Sequence, residues 1–174
     1  SNDKSPLINK SIGGHYAPGS TFKMVVALAA LEKGVISEDS EVFCGGFVNL
    51  GNATFHCWKK GGHGVVNLKA GIAQSCDVYF YEIAKRTGIE RISEMARRLG
   101  LGNRLGLDLP GEQAGLVPSN EWKKAVIGAP WQQGETLLAG IGQGYVLTTP
   151  LQLAVMTARL VNGGVAVTPQ LTRN

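Results

Sequence analysis

The sequence predicts a helix-rich α+β fold, in one domain or a piece of one, and three observations predict it. Apolar residues recur at helical spacing in several separate stretches. Only one long stretch, "FVNLGNATFHCW" (Phe47 to Trp58), reads as a pair of strands, turning about Gly51 and Asn52. The 174 residues suffice to bury one core and show no composition shift or linker that marks a second domain.

Taken in order, residues 1–15 read as an approach segment with little regular structure, and Pro18 and Gly19 then punctuate the chain. From Ser20 the apolar residues Phe22, Val25, Val26, Ala29 and Ala30 keep helical spacing until Gly34 caps the run. "KKGGHGVV" follows the hairpin as a glycine-rich loop. Asn67 caps a short helix, "LKAGIAQ", that stops near Ser75. A longer helix runs from Asp77 to Thr87, with Tyr79, Phe80, Ile83 and Ala84 inward. Another spans Ile89 to Leu99, with Ile92, Met95, Ala96 and Leu99 on one face. Gly100 to Pro118 is rich in turns, and Ser119 or Asn120 caps a short helix containing Trp122. Pro150 begins a last helix, "PLQLAVMTARLVNGG", ended by Asn162 and Gly163, and "VAVTPQL" reads as a strand.

The net charge of +4 is modest, and Lys and Arg are scattered or sit on helix faces, as in "AKRTGIERISEMARRLG". That pattern is a solvated surface and argues against a nucleic-acid partner. No run of about 18 apolar residues is present, so none of these residues reads as a membrane span.

Two polar clusters carry chemistry. In "YAPGSTFKMVVALAALEKG" a serine and a lysine stand three residues apart at a helix start, which places Lys23 within reach of Ser20 Oγ. A serine hydroxyl is a weak nucleophile until a neighbour takes its proton, and unsatisfied N–H groups in a first helical turn favour an oxyanion there. The plainer reading is a capping serine and an ordinary helix lysine. The second cluster, "QSCDVYFY", falls at a break between helices, where Ser75 can relay a proton and Asp77 can orient a lysine or a substrate amide. Asp77 as a simple N-cap is the competing reading.

Together these clusters resemble the penicillin-binding proteins, acyl-serine transpeptidases marked by Ser-x-x-Lys, Ser-x-Asn and Lys-Thr-Gly. "PGSTFK" matches the first motif, "SCD" the second, and "GIGQGYVLTTPLQLA" the segment before the third. "DVYFYEIAKRTGIERISEMARRLGLG" and "EWKKAVIGAPWQQGETLLAGIGQGY" carry a closer likeness to the elongation-type class B branch, from Ser5 to Leu171. The resemblance implies that Ser20 is the acylated nucleophile, Lys23 its base and Ser75 an aid to proton transfer. Asp77 stands where most relatives have Asn; an ionised Asp can only accept hydrogen bonds, so it is expected to pair with Lys23.

No Lys-Thr-Gly or Lys-Ser-Gly occurs in the sequence. The expectation is therefore a partial transpeptidase domain over 1–174: a helical subdomain plus a short hairpin, the central sheet largely missing, and inactive alone. An apolar face of the nucleophile helix, around Phe22, Val25 and Val26, is expected to lie exposed. The resemblance further implies peptidoglycan stem peptides ending in D-Ala-D-Ala as substrates, β-lactams as inhibitors, and membrane partners of the elongation machinery. It places the whole protein in the periplasm on an inner-membrane anchor. A class D β-lactamase, which can also carry "STFK", and a non-catalytic β-lactam sensor or scaffold are the rival readings.

The three cysteines and His63 form C-x12-C-x5-H-x12-C: Cys44, Cys57, His63 and Cys76. Three thiolates and an imidazole complete a tetrahedral structural zinc set, and the resemblance implies a metal beside the second motif. A Cys44–Cys57 disulfide with Cys76 free, three unlinked thiols, or His56 in place of His63 are the alternatives.

Overall fold

The computed structural model describes residues 9–107 and 109–170. After a four-residue helix α1 (Lys10–Gly13), a 3-10 turn (Gly19–Phe22) leads without a break into α2 (Lys23–Glu32). Two nested antiparallel ribbons follow: β1 (Val42–Cys44) pairs with β4 (Gly64–Val66) around an inner hairpin of β2 (Phe47–Leu50) and β3 (Ala53–His56). Helices α3 (Leu68–Ala73), α4 (Asp77–Thr87), α5 (Ile89–Arg98), α6 (Asn120–Val126), α7 (Gln133–Gly140) and α8 (Pro150–Val161) complete the order.

α4 is the hub. Val78, Tyr79, Phe80, Tyr81, Ile83 and Ala84 are all buried, because it packs against α2, α7 and β1 at once. Its buried side chains spread over a wider arc than the one-sided stripe of α5, and Glu82, Lys85 and Arg86 keep to the remaining side. The segment from the 3-10 turn into α2 is enclosed as well. Phe22, Val25 and Val26 are 1%, 0% and 0% exposed, since α4 and α5 cover them. The expected exposed face is thus corrected: the helical layer buries it without a sheet. Exposed apolar side chains lie instead on the outer ribbon, where Phe43 opposes Val65.

The hairpin about Gly51, the Asn67 and Ser119 caps, and the limits of α4, α5 and α8 match the sequence expectations. Four features differ. The approach segment contains α1, whose N-cap Asn9 accepts from the Ser11 amide. The glycine loop contributes β4, which needs β1 as a distant partner. α7 was not expected; a reciprocal cap joins Gln132 and Glu135 at its start. Residues 165–170 form no strand, having no paired neighbour among the described residues; Val167 O instead accepts from the Arg159 guanidinium.

Residues 147 and 148 tie distant parts together. Leu147 pairs with Leu116 and Thr148 with Tyr16 through reciprocal backbone bonds. Fully buried Gln152 adds two 2.8 Å bonds from its amide to Asn103 O and Ala114 O. These links close the turn-rich segment over the start of the chain and so fix what precedes Ser20.

Candidate active site and adjoining metal cluster

Ser20 lies in the 3-10 turn, and Lys23, the first residue of α2, is 3% exposed. Lys23 Nζ donates to Ser75 Oγ and Ser75 O at 2.9 Å each, and to Asp77 Oδ1 at 2.6 Å. Ser75 Oγ in turn donates to Ser20 Oγ at 2.9 Å. All four expected residues therefore meet. Lys23 and Ser20 communicate through Ser75, although the sequence spacing suggested direct contact. Asp77 is an acceptor, as an ionised carboxylate must be. It is not the cap of α4: Cys76 Sγ accepts from the Tyr79 amide at 3.5 Å.

Ser75 occupies the gap after α3 with φ +49°, the only non-glycine residue at positive φ among the described residues. That conformation is costly for a side chain with a Cβ and marks a position held by its surroundings. Two donors converge on its carbonyl: Lys23 Nζ, and Trp58 Nε1 at 3.1 Å. The Trp58 backbone N–H also donates to Asp77 Oδ2 at 3.0 Å. Nothing in the spacing identified Trp58; its signal was only a large aromatic beside a cysteine in a polar loop. An open cleft of about 400 Å³, lined by Trp58, Lys59, His63, Ala73, Gln74 and Ser75, adjoins the relay.

On the other side, Gly142 packs against the turn that holds Ser20. Gly19 N donates to Gly142 O at 3.0 Å, and a Cβ on Gly142 would lie 2.1 Å from Gly19 O. Its φ of +69° adds a second reason for glycine. The turn continues into Tyr145, whose ring meets Trp122 at 5.1 Å and Trp131 at 6.3 Å. Beneath these rings the ammonium of Lys123 pairs with Glu135, 6% and 20% exposed. Burial pushes the Glu135 carboxyl up, but the Lys123 ammonium and the Gln132 amide outweigh it and hold the group below its ordinary range.

The ligating atoms of Cys44, Cys57, His63 and Cys76 all lie within 4.8 Å of one another, a set that could hold a metal ion. Its assembly is legible in the ribbons. Cys57 N bonds Gly46 O at the open end of the hairpin, and His63 N bonds Cys44 O at the start of β4. A Cβ on Gly62 would lie 2.1 Å from Cys44 O, so the loop closes this tightly only with glycine. His56 is outside the cluster, exposed and tilted against Phe47. All three cysteines are buried and stand unbridged in this arrangement. Burial pushes the Cys76 thiol up to about 12. At Cys57 burial also opposes charge, yet the backbone groups of Lys59, Val78 and Asp77 bring it below its ordinary value. Burial, with Lys59 nearby, lowers His63 and favours the neutral imidazole a ligand requires.

The model of the penicillin binding protein transpeptidase domain matches residues 1–174. The peptidoglycan D,D-transpeptidase MrdA of Acinetobacter baumannii is 40% identical over 174 residues, covering 99% of this chain and 26% of that protein. MrdA of Escherichia coli K12 is 39% identical over 169 residues, covering 96% and 27%. The crystal structure of Pseudomonas aeruginosa PBP2 in complex with WCK 5153 superposes with TM-score 0.95 at 44% identity, covering 100% of this chain and 38% of that one. Helicobacter pylori PBP2, in a complex with MreC, gives TM-score 0.95 at 39% identity, covering 100% and 33%. The chain thus spans about a quarter of the length of the curated relatives it matches. With the Ser20–Ser75–Lys23 relay in the same chain, these likenesses lead to one statement: it belongs to the penicillin-binding protein transpeptidase family.

Proposed function

We propose that these residues are the helix-rich part of a transpeptidase domain in a longer protein, a peptidoglycan D,D-transpeptidase of cell-wall elongation. The observation that carries the reading is the continuous array Ser20 Oγ, Ser75 Oγ, Lys23 Nζ, Asp77 Oδ1. In the resting arrangement protons point from Lys23 towards Ser20. With Lys23 neutral the same array runs in reverse: Ser20 gives its proton to Ser75 Oγ, and Ser75 passes its own to Lys23 Nζ.

Ser20 Oγ then attacks the carbonyl carbon of the penultimate D-Ala. The amide C–N bond breaks, and the terminal D-Ala leaves as the amine after taking a proton back through Ser75. An amine of a neighbouring stem peptide attacks the ester, its proton returns through the relay, and Ser20 is released. Asp77, fixed by the Trp58 amide, keeps Lys23 pointed at Ser75 through the cycle. β-Lactams would acylate the same oxygen. Isolated from an active-site strand carrying a third motif, the 174 residues should acylate slowly, since each missing oxyanion donor costs about 10²–10³ in rate.

The cluster fits structural zinc. Tetrahedral bonds of about 2.3 Å to sulfur and about 2.0–2.1 Å to nitrogen put those atoms about 3.6 Å apart. Cys44 Sγ and Cys57 Sγ lie 3.6 and 3.5 Å from His63 Nδ1. Four protein ligands leave no open position for water, so zinc would supply cross-linking of the ribbons to Cys76 and no acid–base chemistry. By analogy with the Helicobacter pylori complex, elongation-machinery proteins are proposed as partners of the full-length protein, on the periplasmic face of the inner membrane.

The test is a fluorescent penicillin added to the full-length protein. It should label Ser20, and Ser20→Ala should abolish labelling. Label on another serine would overturn the assignment.

A further inference from the structure

We infer that Trp58 is a positioning residue for acylation, holding Ser75 in its left-handed conformation through the indole N–H; this rests on the acyl-serine reading above. Trp58 is 63% exposed, so burial of its ring does not account for its placement. Its polar atoms do. Nε1–H is shared between the carbonyls of Gln74 at 3.2 Å and Ser75 at 3.1 Å. Gln74 caps the C-terminus of α3 and Ser75 follows it, a place where carbonyls lack intrahelical donors.

The Ser75 conformation determines where two of its atoms go. At φ +49° its Oγ reaches Ser20 while its carbonyl faces Lys23 and Trp58. Relaxing to the ordinary right-handed region would turn the peptide and break this shared arrangement. Lys23 alone cannot guard against that, because its ammonium must give up a proton in each cycle. The indole N–H keeps its proton throughout, so it secures the carbonyl when the ammonium becomes an amine.

Trp58 also bears on the far end of the relay. Its backbone N–H occupies Asp77 Oδ2 and leaves Oδ1 to Lys23. Its position is secured on both sides: Cys57 precedes it in the cluster, and the His63 ring lies edge-on at 5.3 Å. Trp58 thereby joins the cysteine cluster to the array at two points, Ser75 through its indole and Asp77 through its backbone N–H.

The experiment compares wild-type full-length protein, purified without chelator, with W58F and with Trp58→benzothienylalanine. The last keeps the ring and replaces only N–H by sulfur. Rapid-mixing acylation by a chromogenic penicillin separates the non-covalent Kd from the acylation rate constant. Hydrogen exchange reports on residues 73–77, and metal analysis on the cluster. Both variants should acylate about tenfold or more slowly, as a small misplacement of reacting groups predicts. Kd should stay within about twofold, metal content should be unchanged, and exchange should accelerate at 73–77 but not in the hairpin. Wild-type acylation in the benzothienylalanine variant overturns the inference. So does slow acylation accompanied by metal loss, which would place the effect in the cluster. If the wild type itself fails to label Ser20, the acyl-serine reading falls and takes the inference with it.

Discussion

Gly142→Ala places a methyl group where the structure has no room beside the nucleophile. The new Cβ would lie 2.1 Å from Gly19 O, 2.8 Å from Gly19 N and 2.8 Å from Phe22 Cβ. A comfortable carbon–oxygen approach is roughly 3.3 Å, so the two segments must part by about 1 Å. Alanine at φ +69° adds about 1–2 kcal/mol of backbone cost, and overpacking typically adds about 1–3 kcal/mol. A total of about 2–5 kcal/mol corresponds to roughly 5–15 °C in Tm for a domain of this size. The displaced atoms belong to the residue before Ser20, and a misplacement of about 1 Å costs roughly 10²-fold in rate. The assay is the acylation rate of the full-length protein, measured at a temperature where the variant remains folded. Gly163→Ala is the control: its φ is +80° but nothing lies within 4 Å of the added Cβ. It should lose about 1–2 kcal/mol of stability and acylate normally. Wild-type acylation by Gly142→Ala, or equal slowing by Gly163→Ala, would refute the claim that the 142 turn positions the nucleophile.

Two further outcomes follow from the cluster and the buried ion pair. Protein purified without chelator should carry about one zinc per chain, and Cys76→Ser should lose it while keeping an N-cap oxygen on α4; metal-free wild type would remove the zinc reading. Glu135→Gln should lower stability by about 3 kcal/mol at neutral pH by leaving Lys123 buried without its counter-charge. Because the opposing effect of burial is outweighed by Lys123 and the Gln132 amide, which hold the folded Glu135 below the ordinary carboxyl value of 4.5, its contribution is present above that pH and is lost as pH falls through the lower folded value. The stability difference between wild type and Glu135→Gln, followed by denaturant unfolding, should therefore be constant down to about pH 4.5 and narrow below it; a gap that narrows between pH 8 and pH 6 would contradict this.

How much was legible in the sequence depended on the range of the interaction. α4 and α5 were readable because periodicity and caps act over one or two turns. The inner hairpin was readable because Gly51 and Asn52 sit between two strand-like runs. β1 and β4 are three residues each and carry little local signal. What makes them strands is a register joining Val42 to Val66, across 23 intervening residues that include an inserted hairpin. α7 was hidden by its glycines, Gly134 and Gly140, which lower helix propensity although the helix is held by buried Leu137 and Ala139 against α4. "VAVTPQL" erred in the opposite direction. Its composition suits a strand, but a strand needs a partner, and residues 165–170 have none among the described residues.

The site divides along the same line. Ser20 and Lys23 are three residues apart, so one helical turn suffices to suggest a pair, and that suggestion was nearly right. What the spacing could not contain is the group between them. Ser75 enters from 55 residues away, and only its φ of +49° turns Oγ towards the nucleophile. A left-handed serine cannot be read from "QSCD", since its cause lies elsewhere: a lysine carried on α2, an indole N–H from the loop after β3, and a cysteine that α4 and the ribbons share. The same logic explains why Asp77 resembled a cap. It occupies the first turn of α4, where acidic residues are favourable, but Cys76 takes the capping position and leaves both carboxylate oxygens free for Lys23 and Trp58. Sequence thus named the polar groups that meet at the site, whereas the constraints that aim them are long-range. Variants at Trp58 and Gly142, outside both motifs, therefore test the assembled site more sharply than changes within the motifs, because they remove no reacting atom and change only how those atoms are aimed.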